Sequence, residues 1–491
     1  MRDAILCAVF LIVLGVFNMA QAKEYEPNWE SLDSRPTPEW FRDAKFGIFI
    51  HWGVYSVPAW GEKKAYSEWY WHNAFNADGT LKDNPWGEFH RKNYGEDFPY
   101  SDFAPLFKAE LYDPAEWADI FKRAGAKYVV PTSKHHDGFC MWPSEEANKT
   151  WGRQWNAVDI GPHRDLLGDL AKAVREADLK FGFYYSMYEW YNPLWLNDKP
   201  KYIKDHMTPQ FKDVVTRYAP SLIFSDGEWD LPPEEWGSPE LVAWLYNESP
   251  SKDELIVNDR WGKGARHHHG GYYTTEYGAG LANDEHPWEE SRGIGFSYGY
   301  NRNEPWSNYR SPKDLILNLV DLVSRGGNFL LDIGPDSDGR IPMIMQDRLL
   351  AMGDWLAVNG EAIYGTRPWK RTCQWSEGEQ PKEEYGEYRV EYNILKGSGF
   401  GPTEDGKAVK EIFFTHKPGV LYAILPGWPD SGEMVIQDFS PKENPKVTLL
   451  GVEGELKTEQ TDKGLRVTLP NLHPEEPPCR YAYTIRIEGV E

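Results

Sequence analysis

The chain has 491 residues, with 53 Lys and Arg against 76 Asp and Glu, giving a formal net charge of −23. That length divides into one barrel-sized domain and a smaller one, and so acidic a surface repels phosphate backbones, which argues against a nucleic-acid partner. Aromatics make up 15% of the chain, including 23 Trp and 28 Tyr; flat rings with a polar handle suit ligands that present both C–H faces and hydroxyls.

In chain order, Met1-Arg2 precede an apolar run over 4–17 that ends in Ala20-Gln21-Ala22. This pattern predicts a cleaved secretory signal over 1–22, because the run is short for an anchor and closes on a small-x-small site. The expected compartment is secreted, periplasmic or lysosome-like, with no membrane attachment after cleavage. Removing the signal leaves Cys140, Cys373 and Cys479, which are far apart and lack metal-type spacing.

From about residue 37 to 369, short apolar runs alternate with helical patterns, the signature of a parallel sheet. Strands are expected at 46–50, 128–132, 181–185, 222–225, 255–258, 272–275, 294–298 and 329–333. Asp113-Pro114 and Ser311-Pro312 open helices that stop at Gly125 and Gly326-Gly327. Residues 164–177 carry Leu166, Leu167, Leu170 and Val174 on one stripe. The expected fold is α/β, a (β/α)8-like barrel over 23–370. Beyond Trp369, strand patterns at 411–415, 420–425, 434–436, 446–449, 465–469 and 482–487 occur without helices, which predicts a C-terminal antiparallel β-sandwich over 371–491.

The strand ends carry the chemistry. The first runs into His51-Trp52, the second into Lys134-His135-His136-Asp137, the third toward Glu189-Trp190, the fourth into Asp226 and the fifth into Asp259-Arg260-Trp261. In a barrel these ends open on one face, where active sites are built. Metal chemistry fits them poorly: adjacent His135 and His136 on an extended strand point to opposite sides, and the run His267-His268-His269 lies in a Gly-rich loop, where solvent or backbone is the expected partner. Neither HExxH nor GxSxG occurs. No metal and no cofactor is expected.

Paired carboxylates fit better. Retaining glycoside hydrolysis needs one carboxylate to attack the anomeric carbon and one carboxylic acid to protonate the leaving oxygen, about 5 to 5.5 Å apart. Asp226, on a rigid strand end, suits the attacking role. The second group is sought among Glu276, Glu289, Glu290 and Glu228.

The motifs Lys45-Phe-Gly-Ile-Phe-Ile-His-Trp-Gly, Ser67-Glu-Trp-Tyr, Lys134-His-His-Asp-Gly-Phe-Cys-Met-Trp, Ser225-Asp-Gly-Glu-Trp, Val257-Asn-Asp-Arg-Trp-Gly and Arg292-Gly-Ile-Gly-Phe-Ser-Tyr-Gly-Tyr-Asn-Arg run in order along the chain. Over nearly all of its mature length the chain resembles the α-L-fucosidases of glycoside hydrolase family 29. The resemblance implies retaining exo-hydrolysis of terminal α-L-fucose from a fucosylated oligosaccharide or glycoconjugate, without a metal. It assigns Asp226 as nucleophile and places His51, Glu68, Trp69, His135, His136, Tyr185 and Arg260 on the fucose hydroxyls and ring, with Tyr298 as an aromatic wall for the sugar's methyl group. Glu276 is the first choice for acid/base and Glu289 the second. On this reading the imidazoles each donate to a hydroxyl, and Arg260 keeps Asp226 ionised. The rival functions are a non-catalytic fucose-binding protein and a related retaining exo-glycosidase.

Overall fold

The computed structural model describes residues 24–283, 285–382, 388, 393–441, 445–473 and 475–490. The expected signal segment lies outside them. Among the described residues no helix is long and apolar enough to cross a membrane, and no disulfide forms.

Eight parallel strands make the larger sheet: β1 (Phe46–Ile50), β2 (Tyr128–Lys134), β3 (Lys180–Ser186), β4 (Leu222–Asp226), β5 (Ile256–Val257), β6 (Tyr273–Glu276), β7 (Trp288–Gly293) and β8 (Asn328–Ile333). Their order is β5-β4-β3-β2-β1-β8-β7-β6. The sheet curls, but β5 and β6 do not pair among the described residues, so it is a half-barrel. Every residue of β1, β2, β4 and β8 is buried, as strands covered on both faces require. Period-two alternation sorts the faces: Phe49, Tyr128, Val130, Tyr184 and Phe224 form one cluster inside the curl, while Ile48, Val129, Phe183, Tyr185 and Ile223 join the helices outside it. The helices Pro114–Arg123, Leu166–Glu176 and Pro312–Ser324 start where their caps predict, with Asp113, Asp165 and Ser311 accepting from first-turn N–H groups.

One barrel strand lies elsewhere than its pattern suggests. The seventh occupies Trp288–Gly293, and 294–298 is loop. Its sequence, WESRG with a doubled Glu, is polar, yet all six residues are buried. They are tolerated because polar side chains on both faces find partners: on one face Tyr128 donates to Glu289 and Ser291 pairs with Tyr298, and on the other Thr275 donates to Glu290.

The C-terminal part holds β9 (Arg367–Trp375), β10 (Lys410–Lys417), β11 (Gly419–Leu425), β12 (Glu433–Gln437), β13 (Val447–Leu449), β14 (Lys457–Thr461), β15 (Gly464–Thr468) and β16 (Tyr483–Val490). An antiparallel sheet ordered β13-β16-β11-β10-β9 faces a second ordered β12-β15-β14. Both sheets contribute to one core, with Phe414, Leu421 and Ala423 from the first meeting Met434, Ile436 and Val467 from the second. Two of these strands were not legible: β9 runs through residue 370, where a boundary is expected, and β14 is almost wholly exposed and has no apolar residue. The sandwich docks on the barrel through a buried ion pair, Lys410 Nζ to Asp321 Oδ1 at 2.8 Å, with Arg325 on the other carboxylate oxygen at 2.6 Å.

Candidate active site

At the C-terminal ends of the strands lies a cavity of about 330 Å³, at the small end of ligand clefts. Its wall includes His51, Glu68, Trp69, His135, His136, Asp226, Arg260, Glu276 and Tyr298. Nine of the ten expected site residues therefore meet, although they span residues 51–298.

The tenth is a correction. Tyr185 points outward, where its hydroxyl donates to Gln210 Oε1 at 2.8 Å. Tyr184 takes the pocket position and donates to Asp226 Oδ2 at 2.8 Å. The register explains it: Tyr184 pairs with Phe224 and Ser186 with Asp226, so even-numbered positions of β3 share the inner face with the nucleophile candidate.

Asp226 is the last residue of β4 and is 7% exposed. The chain then turns sharply at Gly227, φ 75°. A Cβ there would stand 2.8 Å from the Tyr188 ring and 2.9 Å from Ser186 Oγ, so only glycine allows β4 to end with Asp226 aimed into the cavity. Burial pushes the Asp226 carboxyl upward, but Arg260, then His136 and Arg266, outweigh it and hold the group well below the usual carboxylate range.

Arg260 is the hub. Its Nη1 donates to Asp226 Oδ1 at 2.9 Å, its Nη2 to Glu276 Oε2 at 3.3 Å and its Nε to Thr274 Oγ1 at 3.0 Å. One guanidinium therefore spans both carboxyl groups, and the reach of that fork limits their separation. Tyr66 donates to the other Glu276 oxygen at 2.9 Å. Glu289 is not at this site. It is fully buried inside the sheet under Tyr128, and burial pushes it up to about 8. Glu290 is likewise committed to Thr275 and the Gly278 N–H.

The histidines depart from expectation in two ways. β2 ends at Lys134, so strand alternation no longer separates His135 from His136; their rings lie 4.2 Å apart and both line the cavity. Moreover, the Ser186 hydroxyl donates its one hydrogen to Tyr188 O. It must accept from His136 Nδ1, 2.6 Å away, which leaves Nε2 of the neutral ring as an acceptor, not a donor. Burial holds His136 down to about 4 and His51 down to about 3, with Asp226 opposing in both cases. His51 is fixed through Nδ1 by Asp332 at 2.7 Å, and its ring stacks on Tyr298. Glu68 is pushed up to about 7 by burial, against the donors Gly299 N and Ser297 Oγ. Of the loop histidines, His267 meets a backbone carbonyl as expected, Nε2 to Thr274 O, whereas His269 departs from the expectation by pairing with the Asp33 carboxylate. Among the described residues no group of three or more His, Cys, Asp or Glu is placed to hold a metal.

Arg266 was not anticipated. It lines the cavity, donates to Glu228 Oε1 at 2.6 Å and approaches Asp226 Oδ1 to 3.6 Å. It sits in the same Gly-rich loop as the histidine run, and nothing in the local pattern singles it out.

A family model described as alpha-L-fucosidase matches residues 13–361, and one described as the alpha-L-fucosidase C-terminal domain matches 405–488. The chain is 42% identical to human tissue alpha-L-fucosidase, covering 96% of this chain and 93% of that protein. It is 41% identical to a Branchiostoma floridae alpha-L-fucosidase, over 98% and 99%. The crystal structure of Thermotoga maritima alpha-fucosidase superposes with a TM-score of 0.74 at 38% identity, covering 94% of this chain and 99% of that one. The chain belongs to the α-L-fucosidase family and is a glycoside hydrolase.

Proposed function

We propose that this protein is a retaining exo-α-L-fucosidase that releases terminal α-L-fucose from fucosylated oligosaccharides or glycoconjugates by double displacement. Asp226 attacks the anomeric carbon. Glu276 protonates the leaving oxygen, then takes a proton from the water that cleaves the glycosyl-enzyme. The observation that carries this reading is the single Arg260 fork on Asp226 and Glu276 in one small cavity. Arg260 keeps Asp226 anionic and ready to attack. The cavity's modest volume, about 330 Å³, favours a terminal sugar over an internal one. Glu68, His51, His135 and His136 supply the polar contacts for hydroxyls, and Tyr298 with Trp69 supplies apolar walls.

The test is hydrolysis of 4-nitrophenyl α-L-fucoside by wild type, Asp226→Gly and Glu276→Ala, with added azide. Rescue of Asp226→Gly as β-fucosyl azide, and of Glu276→Ala as the α anomer, is the expected pair. Wild-type activity with a fully active Glu276→Ala refutes the acid/base assignment. An inert wild type that still binds fucose refutes hydrolysis altogether.

A further inference from the structure

The sequence leads β3 toward Glu189, and the proposed chemistry leaves that carboxylate unused. Glu189 is fully buried and does not line the cavity, yet four donors from separate elements meet its two oxygens. Lys134 Nζ, at the end of β2, donates to Oε1 at 2.8 Å, and His206 Nε2 lies 2.7 Å from the same oxygen. Oε2 accepts from Trp151 Nε1 at 2.8 Å and from Asn192 Nδ2 at 2.6 Å. Lys134 also sits 4.3 Å over the Tyr185 ring. Burial pushes the Glu189 carboxyl up, but His206 and Lys134 outweigh it and hold the group below the usual carboxylate range.

Stability alone gives little reason for such a cluster. A buried ion pair replaced by apolar residues of like volume is often no less stable, so a fully satisfied one is better explained by what it holds in place. What it holds is the turn that carries two of the site's histidines. Lys134 immediately precedes His135 and His136. Glu189 is followed by Trp190, whose N–H donates to His136 O at 2.9 Å and whose ring lies 5.3 Å from the His136 ring. Gly138, φ 74°, brings the turn close to the carboxylate, because a Cβ there would stand 2.7 Å from Glu189 Oε2 and 2.8 Å from Trp151 Nε1. The ion pair thus joins the two segments that meet at His136, which itself reaches Asp226 Oδ2 at 3.6 Å.

We propose that Glu189, through Lys134 and Trp190, is a positioning residue that holds His136 where it meets a fucose hydroxyl. Glu189 itself touches neither the sugar nor the reacting atoms. The inference rests on the fucosidase reading above and on His136 as a sugar contact.

The experiment compares wild type, Glu189→Gln and Trp151→Phe for kcat/KM on 4-nitrophenyl α-L-fucoside and for the inhibition constant of L-fucose. That inhibition constant does not depend on how much of the enzyme is active, so partial unfolding leaves it unchanged. A displaced His136 loses its contact with the sugar, and Glu189→Gln is expected to lower kcat/KM and raise the inhibition constant, each by about 10- to 100-fold. Trp151→Phe keeps the ring and removes one of the four donors, with an expected rise in the inhibition constant of about two- to tenfold; it carries the test alone if Glu189→Gln does not fold. A fall in kcat with an unchanged inhibition constant overturns the proposal in favour of a purely structural role, and no change in either constant overturns it outright. If wild type does not hydrolyse the fucoside, the fucosidase reading itself fails, a result distinct from an active wild type beside unaffected variants.

Discussion

The two adjacent tyrosines of β3 give the sharpest test of how the site works. Tyr184 donates to Asp226 Oδ2 at 2.8 Å, while Tyr185 donates to Gln210 Oε1 in the outer core. A hydrogen bond to an ionised group contributes about 1.5–3 kcal/mol, which at about 1.36 kcal/mol per decade is roughly 10- to 150-fold in rate. The sign depends on the step. In the double displacement proposed above, the charge of Asp226 is consumed as it attacks, so a bond to the carboxylate would not speed that step. In the second step of that proposed mechanism Asp226 would depart as the carboxylate, and the Tyr184 hydroxyl would stabilise the charge as it develops. We predict that Tyr184→Phe lowers kcat on 2,4-dinitrophenyl α-L-fucoside by about 10- to 150-fold, leaves kcat/KM close to wild type, and reveals a pre-steady-state burst. Tyr185→Phe should leave both constants unchanged while costing about 1–3 kcal/mol of stability, because Gln210 loses a buried donor. A parallel fall of kcat and kcat/KM in Tyr184→Phe without a burst would refute the argument. So would a kinetic defect in Tyr185→Phe at a temperature where it is folded.

Three further outcomes are expected. Gly227→Ala combines a left-handed backbone with a Cβ 2.8 Å from Tyr188, so Asp226 shifts; kcat should fall at least tenfold, about 1.4 kcal/mol, with a lower melting temperature, and an unaffected enzyme would show the turn to be adaptable. Glu289 is raised to about 8, so the folded state holds a proton the unfolded chain releases near its usual carboxylate value. Its contribution is complete at low pH and is lost as pH rises toward 8, with a slope approaching about 1.4 kcal/mol per unit; Glu289→Gln should flatten denaturant midpoints between pH 5 and 8, and an unchanged slope would disprove the shift. Lys410→Met leaves Asp321 buried with Arg325 alone, costing up to about 3–5 kcal/mol in chemical denaturation while kcat/KM on an aryl fucoside holds; a stability loss below about 0.5 kcal/mol would mean that the pair contributes no more than an exposed one.

Most of the half-barrel was legible because its strands are apolar runs bounded by caps and glycines, and because polar residues at their ends converge by geometry. What resisted had a physical cause in each case. β7 is polar, so its burial depends on partners from other strands, which no local pattern reports. The phase of β3 was hidden because Phe183, Tyr184 and Tyr185 are all buried; hydrophobicity cannot tell the inner face from the outer when both are packed. His135 and His136 escaped strand alternation because β2 ends one residue earlier. Arg266 comes from a loop whose local pattern does not single it out.

The electrostatics also explain why a pocket with three histidines stays suited to a neutral sugar. Burial keeps His51 and His136 neutral above about 3 and 4, and holds His135 well below its usual value too. Glu68 carries its charge only above about 7. Arg260 and Arg266 therefore face Asp226 without competition from imidazolium. If the histidines were protonated, cations would surround Asp226 from several sides, lowering its basicity and with it the proposed attacking power, and His136 Nε2 would lose its lone pair as an acceptor. Enclosure thus does two things at once: it desolvates the sugar site and fixes the hydrogen-bond polarity of its walls. The acidic limb of kcat/KM should accordingly fall near the value held by His136, and His136→Gln, which does not titrate, should shift that limb; an unmoved limb would assign it to another group.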